Sequence, residues 1–508
     1  MTVTPEATQI HEYTLYIDGR FRSARGGGVI DVRNPATGAL VGRVASAGAP
    51  DVEDAIAAAR HAFDDGRWSG LSPGERSAAL FKLAQVLENR ADLLARLETL
   101  QTGKPIKLSK NGDIPFAIDN LRFFAGAARV LEGRAAAEYV TGYTSMIRRE
   151  PIGVIASIAP WNYPFMMAIW KIGPALAAGN TVVLKPASIT PLTAFELADA
   201  AREAGIPDGV LNVVSGPGDE VGPMLCTDRR IDMVSLTGDT STGRTIMEAA
   251  SKTLKRVHLE LGGKAALVVF EDADLEAAAQ GAAVAGFMNT GQDCTAATRV
   301  YVHESVKQAF IDKLVARTRK VRVGDPLDEK TDLGPLMSAA QLDKVVGFVD
   351  RAAKAGARVA VGGQRLTDGA LGAGFYFAPT VVTDVAQDAE LMQCEAFGPV
   401  LAVGSFSTVD EAVSKANDVE FGLASSVWTR DVFKAFNVSR RLDFGTVWIN
   451  DHLPIASEMP HGGFKQSGFG KDMSMYAFEE YTRVKHVMAE LGGDAVKGWH
   501  GAVFGDEA

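Results

Sequence analysis

Between Gly153 and Gly263 short apolar runs alternate with helical patterns, and this alternation restricts the fold more than any other feature of the chain. GVIASIAP, TVVLKPA, LNVVSG, DMVSLTG and RVHLELGG read as strands, with TAFELADAAREAG, GDEVGPMLCTD and STGRTIMEAASKTL as helices between them. Strand, helix, strand with short glycine-bearing turns predicts an α/β class, a parallel sheet with helices on both faces. Ligands of such sheets bind beyond the carboxyl ends of the strands, where these turns lie. A second alternating series starts at AALVVF (265–270), continues through the helical pattern DLEAAAQGAAVAGFMNT and runs to GTVWIN near 450. Two α/β domains are therefore expected, with the boundary near Gly262–Gly263. Upstream, VEDAIAAARHAFDDG and ERSAALFKLAQVLENRADLLARLETLQTG space apolar residues at three and four, as helices do, the latter stopping at the glycine of TGK. TGYTSMIRREP and TRVKHVM have strand-like composition but lie outside both series. They fit either a local hairpin or pairing with another element or subunit.

The chain has 508 residues, too many for one ordinary core. With 47% apolar and 22% charged residues it has the balance of a soluble globular protein. A formal charge of -10 argues against a general nucleic-acid partner, which needs a basic face. No apolar run approaches the roughly 18 residues of a membrane span. The opening MTVTPEATQIHEYTLYIDGR lacks a basic stretch followed by an apolar one, so it does not read as a signal peptide. Cys226, Cys294 and Cys394 form no CxxC pair, so neither a metal site nor a disulfide framework is expected. Sparse unpaired thiols fit a cytoplasmic location.

The residues with chemical potential are few. Cys294, in MNTGQDCTAA (288–297), is either a small buried packing residue or a nucleophile. Glu260 sits inside the apolar run HLELGGK, where a carboxylate needs an ion-pair partner or serves as a base of raised pKa. Asn162, in PWNYPF, is an ordinary turn residue or an amide held rigid by two prolines, suited to stabilising an oxyanion. Lys185 ends an apolar strand, where it meets solvent or a ligand oxygen. GPGDEVG (216–222) and TGDTSTG (237–243) each open a helix, whose free N–H groups attract phosphate, although neither is a GxGxxG.

Taken in order, Asn162, Lys185, the turn at 238–243, LELGGK, GQDC and CEAFGPV (394–400) resemble the NAD(P)-dependent aldehyde dehydrogenase superfamily over roughly residues 14–490. The resemblance implies Cys294 as nucleophile, Glu260 as the base that activates water, Asn162 as oxyanion donor and Asp472 as a proton relay behind Glu260. It implies Lys185 at the adenosine ribose, Glu395 at the nicotinamide ribose and Phe397 beside the nicotinamide. Ala159, Pro160, Trp161, Ser188, Gly218, Gly238, Asp239 and Leu261 would complete the cofactor groove. The implied fold is a Rossmann-like cofactor domain (1–138 and 155–262), a catalytic domain (263–450) and an oligomerisation segment (139–154 and 480–495), with 451–479 returning to the active site. A homodimer or homotetramer is implied as well.

Two positions depart from the family pattern. Ser188 stands where a glutamate commonly holds the adenosine ribose, so NAD+ is expected but NADP+ is tolerated. Asp239 puts an anion beside the expected pyrophosphate, with no account from sequence. The tail EMPHGGFKQSGFGKDMSMYAFEEYTRVKHVM, with GQDCTAATR and RFFAGAARVLEG, is most similar to bacterial γ-aminobutyraldehyde dehydrogenases, with betaine aldehyde dehydrogenases close by. A cationic aldehyde calls for aromatic and acidic groups, for which Trp161, Tyr163, Asp293 and Asp113 are the candidates, Asp119 reading as solvated. A cofactor-independent cysteine hydrolase built on Cys294 and Glu260 lacks an obvious histidine partner. A non-catalytic protein has no use for the whole set.

Overall fold

The computed structural model describes residues 10–131, 136–493 and 497–505. The first nine residues, Glu132 and Gly133 of RFFAGAARVLEG, and positions 494–495 of the expected oligomerisation segment lie outside the described residues.

Two large sheets organise the chain. The first has eight strands in the order Gly468–Phe469, Arg256–Glu260, Met233–Thr237, Val154–Ile158, Thr181–Lys185, Leu211–Val213, Leu15–Ile17, Arg20–Arg22. Its five central strands are parallel. Every residue of Thr181–Lys185 is buried, as expected of a strand covered on both faces. The helix Pro164–Ala178 is buried along its whole length on one face, and Ala49–Asp64 packs on the other. The second sheet has seven strands in the order Arg358–Val361, Thr380–Thr383, Val400–Phe406, Arg299–His303, Ala266–Val269, Ala424–Trp428, Thr446–Ile449. Only its edge strand Arg358–Val361 is antiparallel. The chain passes from one sheet to the other between Glu260 and Ala266.

Two helix limits differ from the sequence expectation. The long helical pattern after residue 74 is two helices, Pro73–Asn89 and Ala91–Thr102, separated at Arg90. The Arg90 guanidinium reaches Glu196, Asp199 and Glu203 on the helix Leu192–Ala204, a tertiary demand that periodicity does not carry. The helix expected to run through MNT stops at Phe287, because Asn289, Thr290 and Gly291 all take positive φ.

The two stray segments pair with each other. Thr482–Glu490 lies antiparallel to Tyr143–Pro151 over nine residue pairs, and Ala136–Val140 adds a third strand.

Candidate active site

The strand order of the first sheet reverses between Val154–Ile158 and Met233–Thr237, since successive strands after Ile158 run one way and those after residue 232 the other. A crevice opens at such a switch point, outside the carboxyl ends. Asn162 follows one of these strands, Gly238 the other, and Glu260 ends the next, in register with Thr237. The second sheet contributes from the opposite end. Cys294 precedes Arg299–His303, and Glu395 and Phe397 precede Val400–Phe406, so these residues come from amino ends. The carboxyl edge of one sheet thus faces the amino edge of the other across a cavity of about 850 Å³ lined by Asn162, Glu260, Cys294, Glu395, Phe397 and Asp472, among others.

The loop bearing Cys294 is held by amides. Asn289 Nδ2 donates to the carbonyls of Asn162 and Gln292, both at 3.1 Å. Asn162 Nδ2 donates to Gln292 O at 3.0 Å, which leaves its second N–H for a ligand. Gln292 Oε1 accepts from Met337 N at 2.8 Å. Gly263 lies against the Cys294 carbonyl so closely that a Cβ there would overlap it. Burial pushes the Cys294 thiol well above its usual pKa, and the carboxylates of Asp293, Glu260 and Glu395 add to the effect.

Glu260 is 2% exposed, and burial raises its carboxyl well above the ordinary range, reinforced by Asp472 and opposed by Lys171 and Lys471. Its Oε2 is 3.6 Å from His461 Nε2. Asp472 is fully buried and ion-paired with Lys171 Nζ at 2.9 Å, with His258 Nε2 at 3.8 Å. Burial raises the Asp472 carboxyl, and Lys171 opposes it.

The groups expected to hold a cofactor fall in two places. Trp161, Gly238, Asp239, Leu261, Glu395 and Phe397 line the cavity, with Trp161 and Phe397 in edge contact at 5.2 Å. Glu395 Oε1 accepts from Gly263 N at 2.9 Å, and burial pushes its carboxyl up to about 7. Ala159, Pro160, Lys185, Ser188 and Gly218 lie along the same sheet edge but outside this cavity. Ala159 N–H donates to Lys185 O, and the Ser188 hydroxyl donates to Gly216 O at 2.6 Å. Burial lowers the Lys185 ammonium to about 8, with Asp219 opposing. Asp239 is the N-cap of Thr240–Ser251: its Oδ1 accepts from Thr242 N at 2.9 Å and from the Ser241 hydroxyl. Burial disfavours its charge, but these bonds outweigh it and hold the carboxyl below its usual range. The anion that sequence left unexplained is a helix cap.

The acids expected to meet substrate are already engaged. Asp113 lines the cavity but pairs with buried Lys104, whose ammonium lies 3.8 Å from the centre of the Tyr163 ring. Tyr163 OH donates to Asp293 Oδ2 at 2.7 Å, while Asp293 Oδ1 accepts from Thr295 N and Oγ1. Asp119 is exposed and accepts from Ser457 Oγ. Sequence reasoning passed over Asn289, Gln292, His461, Trp170 and Asp451. Gln292 lay in view inside GQDC, whereas nothing in their own sequence surroundings marks the others as cavity residues. Asp451 is an exposed carboxylate lining the cavity.

The fold and site define a class: residues 21–487 match the model of the Aldehyde dehydrogenase family, and the chain belongs to that family. It is an NAD(P)-dependent oxidoreductase acting on aldehydes. Among solved structures it is similar to the NAD-dependent aldehyde dehydrogenase of Sinorhizobium meliloti, at 42% identity over 96% of each chain and TM-score 0.93. It is equally similar to PnpE of Pseudomonas sp. WBC-3, at 42% identity over 96% of this chain and 100% of that one, TM-score 0.93. The betaine aldehyde dehydrogenase of Staphylococcus aureus in complex with NAD+ matches at 38% identity, covering 95% of this chain and 96% of the other, TM-score 0.93.

Proposed function

We propose that this enzyme oxidises an ω-aminoaldehyde such as 4-aminobutanal to the acid, with Cys294 as nucleophile. The observation that carries the chemistry is that Cys294, Asn162 and Glu260 line one cavity. The Cys294 thiolate adds to the aldehyde carbon, and the free N–H of Asn162 stabilises the alkoxide of the thiohemiacetal. A nicotinamide held beside Cys294 would supply the hydride acceptor that takes the Cys294-bound carbon to the thioester level. Glu260 then takes a proton from water, whose attack releases the acid and returns the thiol. Asp472 with Lys171 relays protons behind Glu260.

Glu395, Phe397, Leu261 and the Gly238 turn would hold the nicotinamide half, and Lys185, Ser188 and Gly218 the adenosine half. The residues present fit such a group, since Trp161, Gly238, Leu261, Glu395 and Phe397 line one cavity of about 850 Å³ that also holds Cys294. NAD+ is the preferred cofactor and NADP+ is accepted, because Ser188 offers no carboxylate and spends its hydroxyl on Gly216. On this scheme 1–138 and 155–262 bind the cofactor, 263–450 carry the nucleophile, and the sheet around Tyr143–Pro151 joins copies of the chain into a homodimer or homotetramer. The cytoplasm is the proposed location.

The aminoaldehyde assignment is supported by aromatic walls from Phe116, Trp161, Tyr163 and Trp170 and by the exposed carboxylate of Asp451, which together suit a cation. A second reading, an enzyme of broad aldehyde range, is favoured by the Lys104–Asp113 pair, which cancels one of the expected charges. The test is kcat/KM for 4-aminobutanal and butanal, read as reduced nicotinamide with NAD+ and NADP+. The amine is expected to be favoured at least tenfold, and Asp451→Asn to erode that preference with butanal unaffected. Faster oxidation of butanal overturns the aminoaldehyde assignment. Binding constants for the two oxidised cofactors, measured calorimetrically, test the Ser188 argument.

A further inference from the structure

His461 lies where no role has been assigned to it. Its side chain and that of Glu260 are both buried, both line the cavity, and stand 3.6 Å apart between Nε2 and Oε2. Each also carries an unpartnered atom among the described residues, Nδ1 of His461 and Oε1 of Glu260. The imidazole is fixed from two sides. Its ring packs on Trp170 with centroids 5.2 Å apart, and its backbone exchanges hydrogen bonds with Asp472 at 2.8 and 2.7 Å. The separation from Glu260 exceeds a hydrogen bond by a few tenths of an ångström.

The charges around the pair leave Glu260 without a cation of its own. Lys171, on Pro164–Ala178, is taken by Asp472. Lys471 Nζ donates to Gly462 O. Neither forms an ion pair with Glu260 among the described residues. Asp293 and Cys294 face the cavity from the nucleophile loop, and Asp293 adds negative charge. Burial holds the imidazole neutral, at a pKa of about 4, so it carries one N–H. With Nδ1 facing no acceptor and Nε2 facing a carboxylate, the surroundings favour the Nε2–H tautomer.

We propose that His461 is a positioning residue for Glu260, its Nε2–H donating to the carboxylate and keeping it ionised in a pocket that would otherwise protonate it. This rests on the assignment of Glu260 as the base that activates water. A hydrogen bond to the charged form favours that form, so removing the donor moves the carboxyl further up.

The test is hydrolysis of p-nitrophenyl acetate without cofactor, which acylates Cys294 and then depends on the same base, compared for the parent, His461→Phe and His461→Gln. Phenylalanine keeps a ring against Trp170 and removes the donor; glutamine supplies an amide N–H. The phenylalanine variant is expected to move the acid limb of deacylation up by about one pH unit, with about tenfold slower turnover below it and a larger initial burst of p-nitrophenolate. The glutamine variant is expected to return the limb toward the parent's position. A phenylalanine profile that superimposes on the parent's, or a uniform loss at every pH, makes His461 a packing residue and overturns the proposal. Glu260→Gln is run alongside. If it deacylates at the parent's rate, the base assignment itself fails, a result separate from any shift at His461.

Discussion

Burial, with the nearby carboxylates of Asp293, Glu260 and Glu395, opposes ionisation of the Cys294 thiol. Its reaction with iodoacetamide is therefore expected to keep accelerating with pH beyond the ordinary thiol range. Asp293→Asn removes one like charge while its side-chain oxygen still accepts from Thr295. That variant is expected to shift the alkylation profile down by about one pH unit, and an unmoved profile rules out Asp293 as a determinant of the thiol's acidity. Cys294, Glu260 and Asn162 stood out in sequence as a thiol among polar residues, an acid in an apolar strand and an amide between prolines, each open to a structural reading until the family resemblance grouped them, and all three line one cavity. His461 and Asn289 escaped because nothing local marks them. Glu260 and Asn162, the partners that bring them to the site, lie more than a hundred residues away in sequence, and only the crossing of the two sheets brings these together. Asp239 failed in the other direction, since its cap role is written in its own helix yet was weighed only against an absent phosphate.

At the scale of elements, alternation exposed the five central strands of the first sheet, since a strand buried on both faces is a continuous apolar run, whereas the flanking strands Leu15–Ile17, Arg20–Arg22 and Gly468–Phe469 lie outside the alternating series. The end of the helix Leu275–Phe287 stayed hidden because left-handed backbone at Asn289 and Thr290 has no signature except the glycine that follows. Such conformations cost energy and persist where surrounding contacts impose them. Gly291 both takes φ 67° and packs against the Gly398 carbonyl with no space for a side chain. Gly291→Ala is thus expected to destabilise the protein by at least about 1–3 kcal/mol and displace the nucleophile loop. Thermal unfolding should fall by several degrees and the fraction of titratable Cys294 should drop. A variant with unchanged melting and full titration shows that the loop is not held by this contact.

For the whole molecule, the three-stranded sheet of Ala136–Val140, Tyr143–Pro151 and Thr482–Glu490 stands apart from both large sheets. It leaves Val484, Met488, Met146 and Tyr139 exposed, and among the described residues Thr482–Glu490 ends the sheet with an unpaired edge. An exposed, partly apolar edge strand of nine residues invites another chain, and a second copy is the proposed occupant. The same strand is tied to the site. Arg256, at the start of the strand that ends in Glu260, donates to the carbonyls of Glu480 and Thr482 at 2.8 Å. Contacts between copies at this strand would then brace the backbone that carries the proposed base. Val484→Lys leaves the pairing with Arg149 intact and charges the exposed face. It is expected to give smaller particles in sedimentation velocity, with unchanged far-UV circular dichroism, a lower melting temperature and a several-fold lower kcat. Removing everything from Thr482 onward should produce the same change in size and a larger loss of stability, because Tyr143–Pro151 then loses its partner strand too. If both variants sediment like the parent, this sheet does not join copies of the chain, and the tie through Arg256 braces Glu260 within one chain only.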